Sequence, residues 1–303
     1  MVNELKVTIL QTDIKWAAPD ANQKALESAL LGSEKSALYV LPEMWNTGFM
    51  AINNESDPTP ASMVFTPPSV PPFRGGQKPE EGEGSMLNGK WSIANIQHLA
   101  RRYDAAIAGS MDVEEDGKRY NRFFFVTPTD TYYYDKRHLF SYAGEDKNFT
   151  AGEERTIVEW RGVKFLLQVC YDLRFPCFSR NGITKVNEEL GVRNDSLPWE
   201  GRGGVILYDA IIYVANWPAS RRKVWDVLLQ ARALENQCFV IGVNRVGDDP
   251  NCHYDGGSAI IDAKGKILAQ VPDNTAASAT ATLDMESLAA FREKFPVLQD
   301  ADE

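Results

Sequence analysis

The chain has 303 residues, of which 44% are apolar and 24% are charged, and its net charge is −10. This length is enough for one large domain with a substantial core or for two small ones. The acid excess makes nucleic acid and anionic membranes poor candidates for partners, because both carry negative charge.

Nothing in the chain predicts export or membrane insertion. The first residues, MVNELKVTILQ, lack the layout of a signal peptide, and no segment reaches the roughly 18 apolar residues of a membrane span. The four cysteines include no CxxC pair, which argues against a zinc or redox motif. We therefore expect a cytoplasmic protein with reduced thiols, no membrane contact and no bound metal.

The first part of the chain predicts an α/β layered fold with an irregular insertion. Two predicted strands, 5–11 and 37–41, enclose a helix that begins at Pro19, and the second strand ends just before Glu43. Seven of the 16 prolines then fall between Pro58 and Pro79. Residues 53–89 are therefore predicted to form a long loop, either a surface insertion or an active-site lid.

The middle of the chain predicts one helix followed by antiparallel strand pairs. The helix covers 91–103, and a strand over 105–111 follows it. Turn residues then separate two predicted hairpins, one made of 120–128 with 131–135 and the other of 156–160 with 163–169. Residues 181–204 are polar and glycine-rich, and we predict a second insertion there.

The last part of the chain returns to buried strands and two helices. An apolar strand is predicted over 210–216, and a helix over 223–237 whose inward side chains are Val224, Val227, Leu228, Ala231 and Leu234. Four more strands (238–243, 257–262, 266–271 and 277–283) precede a last helix from Asp284 to about Phe295. Two sheets with helices outside would use all these elements, so we expect a single domain over 1–303.

Three ionisable residues share one context, directly past the end of an apolar strand. They are Glu43 after ALYVLP, Lys136 after TYYYD and Cys170 after FLLQV. Ligand clefts form at strand ends in layered α/β folds, so an acid, an amine and a thiol could meet there. Glu43 could then take the thiol proton, while Lys136 and the backbone N–H of Tyr171 stabilise an oxyanion.

The segments around these residues resemble the three signatures of the nitrilase, or carbon–nitrogen hydrolase, superfamily. They are LPEMWNTGF, YDKRHLF and CYDLRFP, in that order, and the resemblance extends to 216–237, 242–247 and 291–302. Its omega-amidase branch, which hydrolyses the terminal amide of 2-oxo acid amides, is the most similar. The resemblance implies an αββα four-layer sandwich in which two mixed sheets have helices outside.

The resemblance also implies roles for individual residues. Glu43 would be the general base, Lys136 the transition-state stabiliser and Cys170 the nucleophile. Glu145, shortly after the lysine motif, would help to orient the lysine or the substrate. The substrate would be a small carboxylated amide such as 2-oxoglutaramate or 2-oxosuccinamate, hydrolysed through a cysteine thioester with release of ammonia. No metal or organic cofactor is required.

A carboxylated substrate needs a cation, and two arginines follow strand-end motifs. Arg174 and Arg221 are the candidates, since a guanidinium binds a carboxylate through two hydrogen bonds. Arg174 could instead be held by a nearby acid, and Arg221 could be a surface charge at a helix start. Trp217 and Phe140 are candidates for the pocket wall or, alternatively, for core packing.

Several alternatives remain at this stage. Another hydrolase of the superfamily, acting on N-carbamoyl amino acids or nitriles, would use the same three residues. A non-catalytic binding protein or a Cys–His hydrolase is a further alternative, although we expect His138 either to contact the site residues from behind or to have a packing role, and His253 to lie in a loop. The resemblance further implies a homodimer or larger homo-oligomer, with a C-terminal tail from about residue 291 crossing to the partner.

Overall fold

The computed structural model describes residues 3–49, 93–181 and 207–300. The predicted insertions at 53–89 and 181–204 lie outside the described residues, apart from Asn181. In the described ranges, no helix is long and apolar enough to cross a membrane.

The first half of the described chain forms one mixed sheet and two helices that cover it. Its strands and helices are β1 (Glu4–Gln11), α1 (Pro19–Gly32), β2 (Leu38–Val40), α2 (Ile93–Tyr103), β3 (Ala106–Glu115), β4 (Lys118–Val126), β5 (Thr131–Asp135) and the short α3 (Glu145–Asn148). A strand from the C-terminal end, β14 (Ala277–Asp284), completes this sheet beside β1. The strand order is β14-β1-β2-β3-β4-β5, in which β1, β2 and β3 are parallel.

The second half forms another six-stranded sheet. Its elements are β6 (Ile157–Trp160), β7 (Val163–Val169), α4 (Pro176–Ser179), β8 (Ala210–Ala215), α5 (Arg222–Asn236), β9 (Phe239–Asn244), β12 (Ala259–Ile261) and β13 (Ile267–Gln270), with α6 (Met285–Lys294) after β14. The strand order is β13-β12-β9-β8-β7-β6, and the central strands β7, β8 and β9 are parallel. Both predicted hairpins, β4–β5 and β6–β7, are present.

The two sheets pack face to face, and helices α1, α2 and α5 cover their outer faces. Alternate residues of β7 show this arrangement, since Phe165 and Val169 join the core between the sheets while Leu166 faces outward to the layer of α5. In the inner layer, the rings of Phe125 and Phe165 lie 5.7 Å apart between centroids. Helices α1 and α2 pack on the other outer face. The expected αββα sandwich is thus confirmed.

The structure corrects two sequence predictions in the C-terminal half. Helix α5 buries Trp225, Leu229 and Ala233, whereas Val227 and Leu234, predicted to face inward, are each 53% exposed. The region from Val246 to Asp255 contains two unpredicted strands, β10 (Val246–Asp248) and β11 (His253–Asp255), which form a two-stranded sheet, and Val246 also makes a single parallel bridge to Asp13. His253 therefore lies in a short strand and not in a loop.

Helix α5 buries the face that approaches β9 most closely. Gly242 leaves room for the helix, because a Cβ there would lie 2.5 Å from Leu229 Cδ1 and 3.1 Å from Trp225 Cζ2. We expect Gly242→Ala to lower the free energy of unfolding by roughly 1–3 kcal/mol, since a packed core tolerates an added methyl poorly. Urea unfolding measures the change.

The matched control is Gly32→Ala at the end of α1, where a Cβ would meet nothing within 4 Å. It should alter the free energy of unfolding by less than about 0.5 kcal/mol, as for other surface sites. Equal effects of the two substitutions would contradict the explanation that packing against Gly242 determines which face of α5 is buried.

Candidate active site

A cavity of about 250 Å³ opens where strands of both sheets end. Glu43 follows β2 and Lys136 follows β5, both in the first sheet, while Cys170 follows β7 and Asn216 follows β8 in the second. All four line the cavity. The structure therefore brings together the three residues that the sequence marks at strand ends.

Lys136 is held between two carboxylates with no access to water. Its Nζ lies 2.9 Å from Glu43 Oε1 and 2.9 Å from Glu145 Oε2, and all three side chains have 0% exposure. Burial alone would lower the pKa of Lys136, but the charges of Glu145 and Glu43 outweigh burial and raise it. Lys136 therefore carries a fixed positive charge at the base of the cavity.

Glu145 lies behind the lysine and does not reach the cavity. Burial raises the pKa of Glu145, the charge of Lys136 opposes this rise, and the Glu43 carboxylate adds to it. Its Oε2 also accepts a 2.6 Å hydrogen bond from the backbone N–H of Phe140. This geometry suits a residue that orients Lys136, whereas contact with substrate would need a different position.

Two asparagines that the sequence analysis did not single out fix the Glu43 carboxylate. Asn121 Nδ2 donates to Glu43 Oε1 at 2.7 Å and to Glu145 Oε1 at 3.0 Å, and the backbone N–H of Asn216 donates to Glu43 Oε2 at 2.7 Å. Asn216 Nδ2 also donates to the Glu43 carbonyl at 2.8 Å. The available signal for Asn216 was a polar residue directly after an apolar strand, whereas Asn121 lies in a strand that also contains Lys118, Arg119 and Arg122 and gave no such signal.

Cys170 occupies a sharp turn at the floor of the cavity. Its φ is +46°, in the left-handed region that costs a non-glycine residue conformational energy, and it begins a 3₁₀ turn that ends at Arg174. Cys170 is only partly buried, so the cavity gives access to it. Burial and the carboxylate of Glu43 raise the pKa of the Cys170 thiol, while Lys136 lowers it, and the net effect is a large rise. At neutral pH the resting site therefore holds a thiol.

The predicted wall residues surround the cavity above Cys170. The guanidinium of Arg174 lies 5.1 Å from the ring centroid of Trp217, and that of Arg221 lies 5.2 Å from the ring centroid of Phe140. The Tyr171 ring, which also lines the cavity, packs 5.0 Å from that of Phe140. Its backbone N–H as an oxyanion donor stays a prediction.

Neither cavity arginine has an acidic partner in the ranges 3–49, 93–181 and 207–300. The ion pairs of those ranges include other arginines, such as Arg122 with Asp135, but not Arg174 or Arg221. The alternative that a nearby acid holds Arg174 thus has no support in the described residues. Within the described part of the chain, two positive charges therefore line the cavity without an acidic residue in ion-pair distance.

The histidines lie away from the thiol. His138 Nδ1 is 2.8 Å from Asp172 Oδ1, its ring stacks on Phe175 at 3.8 Å, and it does not line the cavity. His253 is exposed and pairs with Asp248 at 2.8 Å. A Cys–His pair with Cys170 therefore finds no support among the described residues.

The β10–β11 hairpin supplies one side of the cavity mouth, which the sequence analysis missed. Asp249, Cys252 and Tyr254 come from it and line the opening together with the exposed Tyr142. Asp249 is satisfied internally, since Oδ1 accepts from the backbone N–H groups of Asn251 and Cys252 and Oδ2 accepts from the Tyr254 hydroxyl at 2.6 Å.

Comparison with known proteins gives a consistent result over the whole chain. A model of the carbon-nitrogen hydrolase family matches residues 6–293. The omega-amidase YafV of Yersinia enterocolitica is 40% identical, with 99% of this chain and 98% of that protein covered. The 2-oxoglutaramate amidase of Bacillus subtilis (strain 168) is 30% identical, with 97% and 96% covered.

A solved structure gives the same picture at the level of the fold. XC1258 from Xanthomonas campestris, a CN-hydrolase superfamily protein with an arsenic adduct in its active site, superimposes with a TM-score of 0.79. It is 34% identical, and the alignment covers 99% of this chain and 98% of that one. Saccharomyces cerevisiae Nit3, a member of branch 10 of the nitrilase superfamily, shares the fold with a TM-score of 0.72 at 22% identity.

Proposed function

Because this chain belongs to the carbon–nitrogen hydrolase family, we propose that it is an amidase for the terminal amide of small carboxylated amides such as 2-oxoglutaramate or 2-oxosuccinamate. The observation that carries the proposal is a single cavity that holds Glu43, Lys136 and Cys170 together with two arginines lacking acidic partners among the described residues. The relatives named as omega-amidases and 2-oxoglutaramate amidase support the same substrate class.

The first half of the reaction forms a thioester on Cys170. Glu43 accepts the thiol proton, and the sulfur attacks the amide carbon. The carbonyl electrons move to oxygen, where Lys136 and the Tyr171 backbone N–H stabilise the negative charge. As the carbonyl re-forms, the carbon–nitrogen bond breaks, Glu43 returns the proton to nitrogen, and ammonia leaves.

The second half releases the acid and restores the thiol. Glu43 takes a proton from water, and the resulting hydroxide attacks the thioester carbon. The carbon–sulfur bond then breaks, the second carboxylic acid forms, and Glu43 gives the proton it took from water to the released sulfur. Glu43 Oε2 accepts the hydrogen bond from the Asn216 backbone N–H, and a carboxylate oxygen has further lone-pair capacity for these transfers.

The charges at the cavity favour a 2-oxo acid over a 2-amino acid. Arg174 and Arg221 offer two cations, whereas Asp249, the acid at the mouth, already accepts three hydrogen bonds. A substrate ammonium group would therefore meet positive charge without a free carboxylate. Ammonia release should accordingly be faster with 2-oxoglutaramate than with glutamine.

The deciding experiment is ammonia release from a substrate panel. The panel contains 2-oxoglutaramate, 2-oxosuccinamate, glutamine, N-carbamoyl amino acids, aliphatic nitriles and butyramide. We expect the highest kcat/KM with the two 2-oxo acid amides. A preference for N-carbamoyl amino acids or uncharged nitriles would instead support another activity of the superfamily.

The arginines give a separate prediction about specificity. Arg174→Gln and Arg221→Gln should each lower kcat/KM for 2-oxoglutaramate by about 10–100-fold, mainly through KM, because a charged hydrogen bond to the carboxylate is lost. Turnover of butyramide, which has no carboxylate, should change less than about threefold.

The control is Arg161→Gln, which removes a surface arginine paired with Asp104 at 3.0 Å. It should leave both substrates unaffected. Equal losses on 2-oxoglutaramate and butyramide in the cavity variants would show that the arginines maintain the cavity without binding a carboxylate.

The assembly state belongs to the same proposal. From the resemblance of the C-terminal tail to that of the family, we expect a homodimer or larger homo-oligomer. Two apolar residues on the outer side of α5, Val227 and Leu234, are half exposed in the single chain, in keeping with such an assembly. Light scattering of the purified protein measures the mass.

A further inference from the structure

Lys136 and Cys170 lie on different sheets, so something must set the distance between them. Lys136 follows β5 of the first sheet, and Cys170 follows β7 of the second. No strand ladder joins β5 to β7, because the two strands belong to separate sheets. Their relative position therefore depends on side chains that bridge the two segments.

One buried carboxylate makes such a bridge. Asp172 has 0% exposure. From the lysine segment, Oδ2 accepts from the Tyr134 hydroxyl at 2.8 Å, and Oδ1 accepts from the His138 backbone N–H at 3.0 Å. His138 Nδ1 also lies 2.8 Å from Oδ1. From the cysteine segment, Oδ2 accepts from the Val169 backbone N–H at 2.9 Å.

The residues that form these hydrogen bonds flank both Lys136 and Cys170 in the sequence. Tyr134 and His138 stand two residues before and two residues after Lys136. Val169 directly precedes Cys170, and Asp172 itself stands two residues after it. The Asp172 side chain is thus hydrogen-bonded to residues on both sides of Lys136. Asp172 itself and its partner Val169 stand on the two sides of Cys170.

We propose that Asp172 is a positioning residue that sets the separation between the Lys136 ammonium and the Cys170 sulfur. The inference rests on the proposed function, because that distance matters for the oxyanion. Asp172 does not line the cavity, so it acts through the two segments and not through contact with substrate.

A carboxylate suits this position better than an amide. All the groups around its two oxygens are donors, and a carboxylate offers only acceptors. In Asp172→Asn, the amide NH₂ would face either the Tyr134 hydroxyl and the Val169 N–H or the two donors of His138. Buried donors would then be left without acceptors, and the two segments should separate.

The test measures turnover and the reactivity of the thiol in Asp172→Asn. We expect kcat for 2-oxoglutaramate to fall about 10–100-fold, with KM changed less than about threefold, because small displacements of reacting groups have effects of this size. Alkylation of Cys170 by iodoacetamide, followed by mass spectrometry of its peptide at a fixed pH near neutrality, should become slower.

The direction of the change in alkylation rate distinguishes displacement of Lys136 from a direct effect of the Asp172 charge on the sulfur. Lys136 favours the thiolate, so moving Lys136 away from Cys170 leaves less thiolate and slows alkylation. Loss of a negative charge acting directly on the sulfur would increase the thiolate fraction and make alkylation faster. The ionisable groups near the sulfur are Glu43, Lys136 and Glu145, and those near the carboxylate are Tyr134, His138 and Tyr213.

Milder variants carry the test if Asp172→Asn does not fold. Tyr134→Phe and His138→Ala each remove a hydrogen bond to Asp172, and both should lower kcat and slow alkylation, though less than Asp172→Asn. His138→Asn keeps a side-chain donor near the position of Nδ1 and should recover part of the activity lost in His138→Ala. Both histidine variants lose the stacking on Phe175, so this packing does not distinguish them.

The matched control is Asp209→Asn, which removes another structural carboxylate at the opposite end of β8. Asp209 pairs with Arg292 at 2.9 Å and accepts from the Lys164 backbone N–H. This variant should lose stability but keep kcat and the alkylation rate.

The proposal is overturned if the Asp172, Tyr134 and His138 variants keep kcat within twofold, or if alkylation is unchanged or faster. Because alkylation needs no substrate, a wild-type protein inactive on the amide panel would refute the proposed function while leaving this readout intact.

Discussion

Glu43→Gln should reduce amide hydrolysis about 10³-fold while making the Cys170 thiol easier to ionise. The loss of turnover follows from the role of Glu43 in accepting and returning the proton in both halves of the reaction, and general acid–base groups contribute about 10²–10⁴-fold. Burial and then the Glu43 charge raise the pKa of Cys170, and Lys136 lowers it. Removing the Glu43 charge therefore lowers the pKa and increases the thiolate fraction at a given pH.

Two measurements on the same variant check this prediction. Ammonia release from 2-oxoglutaramate gives turnover, and iodoacetamide alkylation of the Cys170 peptide gives the thiolate fraction. Hydrolysis should nearly disappear, while alkylation below the pKa should be at least as fast as in the wild type. Glu159→Gln, on the exposed side of β6, serves as the control and should change neither. Normal turnover in Glu43→Gln, combined with inactivity of His253→Ala, would favour a Cys–His mechanism.

Cys170→Ala should abolish amide hydrolysis, with a loss of roughly 10⁴-fold or more, and leave the fold intact. No thioester can form without the sulfur, so the covalent route is closed. The substitution removes one partly exposed atom from the cavity floor, which should cost little stability. Because Arg174 and Arg221 remain, excess 2-oxoglutaramate should still raise the Tm of the variant.

The control for this substitution is Cys177→Ala, which removes an exposed thiol outside the cavity. It should retain full activity. Residual hydrolysis by Cys170→Ala near the wild-type rate would contradict the nucleophile assignment, and loss of activity in Cys177→Ala would point to the other thiol.

Much of the fold and the central residues of the site could be predicted because their signals are local. Glu43, Lys136 and Cys170 each follow an apolar strand, and the ends of such strands meet in layered folds. The two hairpins were equally visible, since turn residues separate the paired strands in each of them. The family resemblance added the αββα arrangement of the two sheets and the place of Glu145.

The rest depends on contacts between residues distant in sequence. Helix α5 carries two apolar stripes one position apart, and the buried pair, Trp225 and Leu229, packs into the space left by Gly242 of a distant strand. Asn121 belongs to a strand whose other residues are mostly apolar. Its role is visible only in the structure, where its amide donates to Glu43 and Glu145. Strands β10 and β11 have three residues each, too few for a periodic pattern.

The division of the site between two sheets has a mechanical consequence. Each sheet is held together by its backbone hydrogen bonds, whereas the two sheets meet through side chains, such as Phe125 against Phe165 in the inner layer. A slip of about 1 Å would shift the thiol relative to the ammonium by a distance large enough to slow the reaction about 10²-fold. We therefore expect turnover to respond to substitutions that change the packing between the two sheets.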